Sequence, residues 1–326
     1  VLLRFALALL LGVASIGSAT QIVIDYSFAG DFFSQATPNG QQARSTVEAA
    51  AAFYSAILED SLTAIQVPAP YVGATSGTTT TFTYDATLSD PSAPGVVSID
   101  NPSFAADELR VYVGAQPLAG PTSAQGGSGG FNFSTEQVGQ GYNGSEFSEM
   151  IQIAGGFEDT INHRGQGNND FSAWGGSVSF DSGIVWNFDH TAEPVTGQND
   201  LFSVAIHEFA HVLGVGGSDE WQAFVSPSFF LGEEATAANG GTNPPLDGTG
   251  AHFAEGTAST VYGGTSAQEA ALDPTLTLGQ RKLLTELDAA ALRDIGWEVV
   301  QAAIPEPTTI GLVLLALAAA TGQRRR

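Results

Sequence analysis

The chain contains no cysteine. That excludes disulfides, thiolate metal ligands, a cysteine nucleophile and a prosegment thiol that could restrain a metal site. Positive charge is also scarce: 10 Lys and Arg stand against 34 Asp and Glu, a formal net charge of −24. Arg4, Arg324, Arg325, Arg326 and Glu306 sit at the two ends, which leaves six basic and 33 acidic residues between them. Such a surface repels nucleic acid and anionic membranes and favours solubility and cations. Methionine occurs once, as Met150. Long apolar runs are missing as well. The run from Thr308 to Gly322 has fifteen residues, fewer than the about 20 that a spanning helix needs. No internal repeat is visible.

Both ends read as addresses. "VLLRFALALLLGVASIGSAT" places Arg4 before an apolar run from Phe5 to Val13 and then small residues up to Ala19. This is the layout of a secretory signal peptide and predicts cleavage after Ala19. "IPEPTTIGLVLLALAAATGQRRR" places Pro305-Glu306-Pro307 before the apolar run and three arginines after it. The basic cluster would hold such a tail on the cytoplasmic side. This order resembles the PEP-CTERM sorting signal of Gram-negative bacteria. The resemblance implies an exosortase-type membrane protease as a partner, transient inner-membrane anchoring, and a secreted or cell-surface product. A plain C-terminal membrane helix is the simpler alternative. The expected division is 1–19 signal peptide, 20–303 one large domain, and 304–326 sorting signal or membrane segment.

Between the ends, "QIVIDYSF" (Gln21 to Phe28) reads as a strand. Val47, Ala51, Tyr54 and Leu58 recur at helical spacing and predict a helix from Gln41 to Leu58. "TAIQVPAPYV" reads as a returning strand, the Thr/Ser/Gly/Pro-rich 73–102 as loop with short strands, and "DELRVYVGA" (Asp107 to Ala115) as a strand. "GPTSAQGGSGGFN" lacks the spacing and lysine of a phosphate loop and reads as a flexible connection. "GSVSFDSGIVWNFD" (Gly176 to Asp189) reads as two strands or a bent one, turning at Asp181-Ser182-Gly183.

The chemistry concentrates in "HEFAHVLGVGG", residues 207–217. Asn199 and Asp200 are good N-caps for a helix from Leu201 to Leu213, and Gly214 is a natural residue to end it. Leu201, Ala205, Phe209 and Val212 form one apolar stripe. His207 and His211, one turn apart, can reach one metal. Glu208, about 100° round the helix, faces the bound water rather than the ion. Zinc lowers the pKa of such a water to about 7, and Glu208 would take its proton as general base. The residues leave the third ligand open. His252, His163, His190, Glu233, Glu234 and Asp219 are candidates.

The His-x-x-Gly continuation resembles the metzincin clan of zinc peptidases, whose usual third ligand is a histidine three residues past that glycine. Gly217 stands there instead. Leishmanolysin-like metzincins draw their third histidine from a later segment, and "DGTGAHFAEG" supplies His252-Phe253, forty-one residues after His211. "LTELDAAALRDIGWEV" also resembles the C-terminal Gly-Trp helix of those proteins. The resemblance implies an α+β zincin fold, with a mixed, partly twisted sheet packed on helices that include the HExxH helix. It also implies Zn2+ held by His207, His211 and His252, and Glu208 as the catalytic residue. Met150 lies upstream and cannot form the methionine turn of that clan. "ALDPTLTLG" stands in its place, with Leu272 as substitute. The expected activity is that of a secreted zinc-dependent endopeptidase acting on protein or peptide substrates. The rival reading is a non-catalytic secreted or surface matrix protein with a relic metal site. Structural Ca2+ is a further expectation, from the acid excess and "GNNDFSAWGG" around Asn168.

Overall fold

The computed structural model describes residues 20–300, so the expected signal peptide and the tail from Ile304 lie outside the described residues. Among the described residues, no helix is long and apolar enough to cross a membrane. The elements that position the site are β1 (Gln21–Phe28), α1 (Pro38–Ser55), β2 (Thr79–Ser89), β3 (Val96–Asp100), β4 (Glu108–Gln116), β5 (Ala124–Ser128) and β6 (Gly130–Val138). After them come α2 (Gly144–His163), β7 (Gly175–Asp181), α3 (Leu201–Val212), α4 (Asp219–Phe224), α5 (Glu233–Ala238) and α6 (Glu286–Asp294).

The main sheet has the order β1-β4-β7-β5. β1, β4 and β7 are parallel, and β5 closes the edge antiparallel to β7. Parallel strands must be covered on both faces, and β4 shows how. Leu109, Val111 and Val113 join α1 and α3 in the larger core, while Tyr112 turns to a second core with Tyr84, Phe104, Phe157 and Trp174. The second sheet supplies that other cover. In it β2 pairs antiparallel with β3, with β6 and with Tyr71–Val72. Ser177 and Ser179 on β7 donate to Ser89 O and Pro91 O and tie the two layers together. The architecture is α+β.

Several boundaries differ from expectation. α1 starts at Pro38 and ends at Ser55, because Thr37 caps it and proline suits a first turn. The 73–102 segment carries the eleven-residue β2, whose alternating burial feeds the second core. "TAIQVPAPYV" shrinks to a bridge at Ile65 and the short strand at Tyr71. α2 is absent from the sequence reading, because only Glu146, Met150, Phe157 and Ile161 of its twenty residues are buried and Gly155-Gly156 interrupts it. The glycine-rich 120–132 stretch is not a loose connection: it carries β5 of the main sheet and the start of β6 of the second sheet. Close packing demands glycine at some of these positions: a Cβ on Gly129 would lie 2.0 Å from the Trp174 ring, and one on the facing Gly176 of β7 would lie 2.1 Å from Gly127 O.

Candidate metal centre

Helix α3 is anchored at its start and stopped at its end. Asp200 is its N-cap and accepts from Ser203 N at 3.2 Å. Such a cap is worth about 1 kcal/mol. Burial alone would raise the Asp200 carboxyl, but the Arg281 fork (Nε 2.9 Å, Nη2 2.8 Å) and Ser203 hold it below the usual carboxylate range. Leu201, Ala205, Phe209 and Val212 are all buried in the core. At the far end Gly214 has φ +99°, and a Cβ there would also strike the Phe171 ring. Trp297 Nε1 donates to Leu213 O at 2.8 Å, so the chain after α6 satisfies one of the last helix carbonyls.

Three imidazoles converge beside this helix. His211 Nε2 lies 3.0 Å from His207 Nε2 and 3.1 Å from His252 Nε2. The three ligand atoms all lie within 4.8 Å of one another. Two of these separations fall in the range of roughly 3 to 3.5 Å that bonds of about 2.0–2.1 Å to a tetrahedral zinc require. The other ring nitrogens are also engaged: His207 Nδ1 with Ala271 O (2.6 Å), His211 Nδ1 with Val215 O (2.9 Å), and His252 Nδ1 with Asp247 Oδ2 (3.3 Å). With Nδ1–H donating outward, each ring turns Nε2 and its lone pair toward the shared point. Burial, together with the neighbouring histidines, pushes His207 well below the usual histidine range and His211 down to about 4. Both are neutral at pH 7, the form that ligates.

His252 arrives on a loop that folds onto itself. Asp247 accepts from Thr249 N, Thr249 Oγ1 and Gly250 N, and Asp247 N donates to His252 O. Phe253, fully buried, takes Leu272 O as acceptor at 3.0 Å. Below lies the segment of Ala271 and Leu272. Asp288, the N3 residue of α6, accepts from Ala271 N (2.8 Å), Leu272 N (3.1 Å), and Thr285 N and Oγ1 (both 2.7 Å). Burial raises the Asp288 carboxyl, and these donors oppose the rise. One carboxylate therefore braces the segment that orients His207 and meets Phe253. Leu272 is fully buried there, whereas Met150 lies on α2.

Glu208 is 6 % exposed and lines the same cleft of about 1060 Å³ as the three histidines. Burial pushes its carboxyl up to about 8, with the backbone N–H of Gly126 opposing the rise. A cation on the histidines would pull it back down. The cleft can therefore place a base beside a metal, with the β5 edge along one side.

The remaining candidates are elsewhere. His163 pairs with Asp159 at the end of α2, and His190 meets Thr46 Oγ1 at 3.0 Å and stacks on Phe202. Glu233 and Glu234 open α5, where Glu234 faces Arg293, and Asp219 opens α4. Among the described residues, His207, His211 and His252 form the one group of at least three His, Asp or Glu side chains placed to hold an ion. In the "GNNDFSAWGG" segment Asp170 accepts from Gly167 N. Sequence reading missed Gly126, Asp247 and Asp288. Only Thr285-x-x-Asp288 carried a signal, as a capping box.

Comparison with known proteins finds matches over part of the chain. Residues 155–239 match the family model for matrixin peptidases, a span that contains His207, Glu208, His211 and Gly217 and stops before His252. Metalloendoproteinase 1 of Glycine max is 42% identical over 60 residues, 18% of this chain and 20% of that protein. The chain thus spans about a fifth of that curated relative's length. No solved structure matches the chain significantly. These matches support a metallopeptidase of the metzincin type.

Proposed function

We propose that this chain is a zinc-dependent endopeptidase in which His207, His211 and His252 hold the metal and Glu208 is the general base. The observation that carries the reading is the meeting of three Nε2 atoms in one cleft with a buried glutamate. Three imidazoles with satisfied second nitrogens suit zinc and leave a fourth position open. When bound, zinc would supply Lewis acidity that polarises a carbonyl and eases deprotonation of water. Glu208 would accept the proton of the attacking water at its carboxylate and return it to the leaving amine. Its burial shields that transfer from bulk solvent.

The finer assignments are also proposals. A leishmanolysin-like arrangement is favoured by a third histidine forty-one residues past His211, with α4 and α5 between. Export with cleavage after Ala19, and a PEP-CTERM-type tail from Ile304 handled by an exosortase-type protease, rest on the sequence pattern alone. That pattern would place the product outside a Gram-negative cell or on its surface. Structural calcium rests on the acid excess and would need main-chain carbonyls beside Asp170. The non-catalytic alternative is disfavoured by Glu208, because a relic site has no use for a carboxylate buried at such cost.

The test is Glu208→Gln. The variant should keep one zinc per chain and lose peptidase activity by about 10²-fold or more. A variant that cleaves a casein-type substrate as well as the wild type would refute the base assignment. A zinc-loaded wild type that cleaves nothing would favour the relic reading.

A further inference from the structure

Gly126 lies on β5 against the first half of the HExxH motif. A Cβ built on it would sit 2.5 Å from Glu208 O, 2.9 Å from Glu208 Cβ and 3.0 Å from Glu208 Oε2. Its φ is outside the left-handed region, so space and not backbone conformation demands glycine here. The strand is itself held in place. Gly126 pairs with Val178 in the β5–β7 ladder, Gly127 lies under Gly176, and Gly129 lies under Trp174. An edge strand with this little freedom acts as a fixed wall, and the Glu208 side chain, Cβ and Oε2 alike, lies directly against it.

A glutamate next to three imidazoles has two roles open to it. It can stand off as a base, or it can swing in and ligate the metal itself, closing the position that water needs. Helical spacing turns the Glu208 Cβ away from the ion, but the side chain has rotatable bonds enough to bring its carboxylate back. We propose that Gly126 is the positioning residue that decides: β5 comes as close as a bare Cα permits, and the Gly126 amide holds the Glu208 carboxylate off the three histidines. This rests on the reading of Glu208 as base, and it adds a strand residue to the machinery that the motif does not contain.

Two measurements test it. In the zinc-loaded protein, Gly126→Ala should lower kcat on the order of 10²-fold, the scale for displacing a reacting group by about 1 Å. KM and zinc per chain should stay within twofold. In a Glu208→Gln background the same change should cost nothing further, because the group it displaces is no longer a base. A further loss in that background, or full activity in Gly126→Ala, overturns the proposal. The second measurement needs neither activity nor a new Cβ. In protein labelled with 15N-glycine, Glu208→Ala should move the Gly126 amide proton and speed its exchange with solvent, relative to the wild type. An unmoved, equally protected Gly126 amide overturns the proposal, even if Gly126→Ala fails to fold. If no peptide is cleaved but the amide responds, the peptidase reading fails and the contact stands.

Discussion

His252 shows what a single residue contributes when its partners are far away in sequence. Its Nε2 meets His211, and its Nδ1 is held by Asp247, itself pinned by three donors from Thr249 and Gly250. Removing one of three protein ligands should weaken the metal sharply. His252→Ala is therefore expected to lose zinc to a mild chelator, with zinc per chain read by atomic absorption after dialysis. His163→Ala and His190→Ala should keep theirs, because His163 pairs with Asp159 and His190 with Thr46. Asp247→Ala should fall between, with affinity lower by about 10- to 100-fold, the usual cost of losing an outer hydrogen-bond partner. Retention of full zinc affinity in His252→Ala would move the third ligand elsewhere.

At the scale of elements, the site is a meeting of α3, the 247–253 loop and the Ala271–Leu272 segment, and α6 holds the last of these. Asp288 accepts four hydrogen bonds from that segment and from its own helix cap. An asparagine can keep one oxygen in place but must turn an NH2 toward donors. Asp288→Asn should destabilise the fold by about 1–3 kcal/mol, the cost of leaving a buried polar group unmatched. It should also weaken zinc binding, because Ala271 O, which orients His207, is no longer held. Urea unfolding with and without zinc separates the two effects. If apo stability falls and zinc affinity does not, α6 braces the fold but not the site.

For the molecule as a whole, the metal would join parts of the chain that nothing else links covalently. With no cysteine, a cross-link between α3 and the 247–253 loop can only come through an ion. A ligand that binds only the folded state, at about 1,000 times its Kd, stabilises by about 4 kcal/mol. Chelation of the zinc-loaded protein is thus expected to lower the Tm by several degrees or more in calorimetry, and added zinc should restore it. The same treatment should leave His252→Ala almost unmoved. Equal chelator sensitivity in both would show that the stabilising metal sits somewhere other than the three histidines.

Local sequence determined a good deal. The Asp200 cap, the apolar stripe of α3, the stop at Gly214 and the one-turn spacing of His207 and His211 are all properties of a short stretch, because helical geometry relates residues three and four apart. The alternation in β4 and the absence of cysteine were equally legible. The resemblance to metzincins made Gly217 a sign that a ligand must come from afar, and the composition left few histidines to supply it. What only the tertiary structure decided lies across the gaps. It brought His252 to His211 over forty-one residues, set Asp288 under the Ala271–Leu272 segment, and turned a glycine-rich stretch into the edge strand against Glu208. Glycine carries no hydrophobic pattern, so no periodicity could mark β5. Its identity is set by the distance to a helix more than seventy residues away in sequence, and that distance exists only once the sheet has formed.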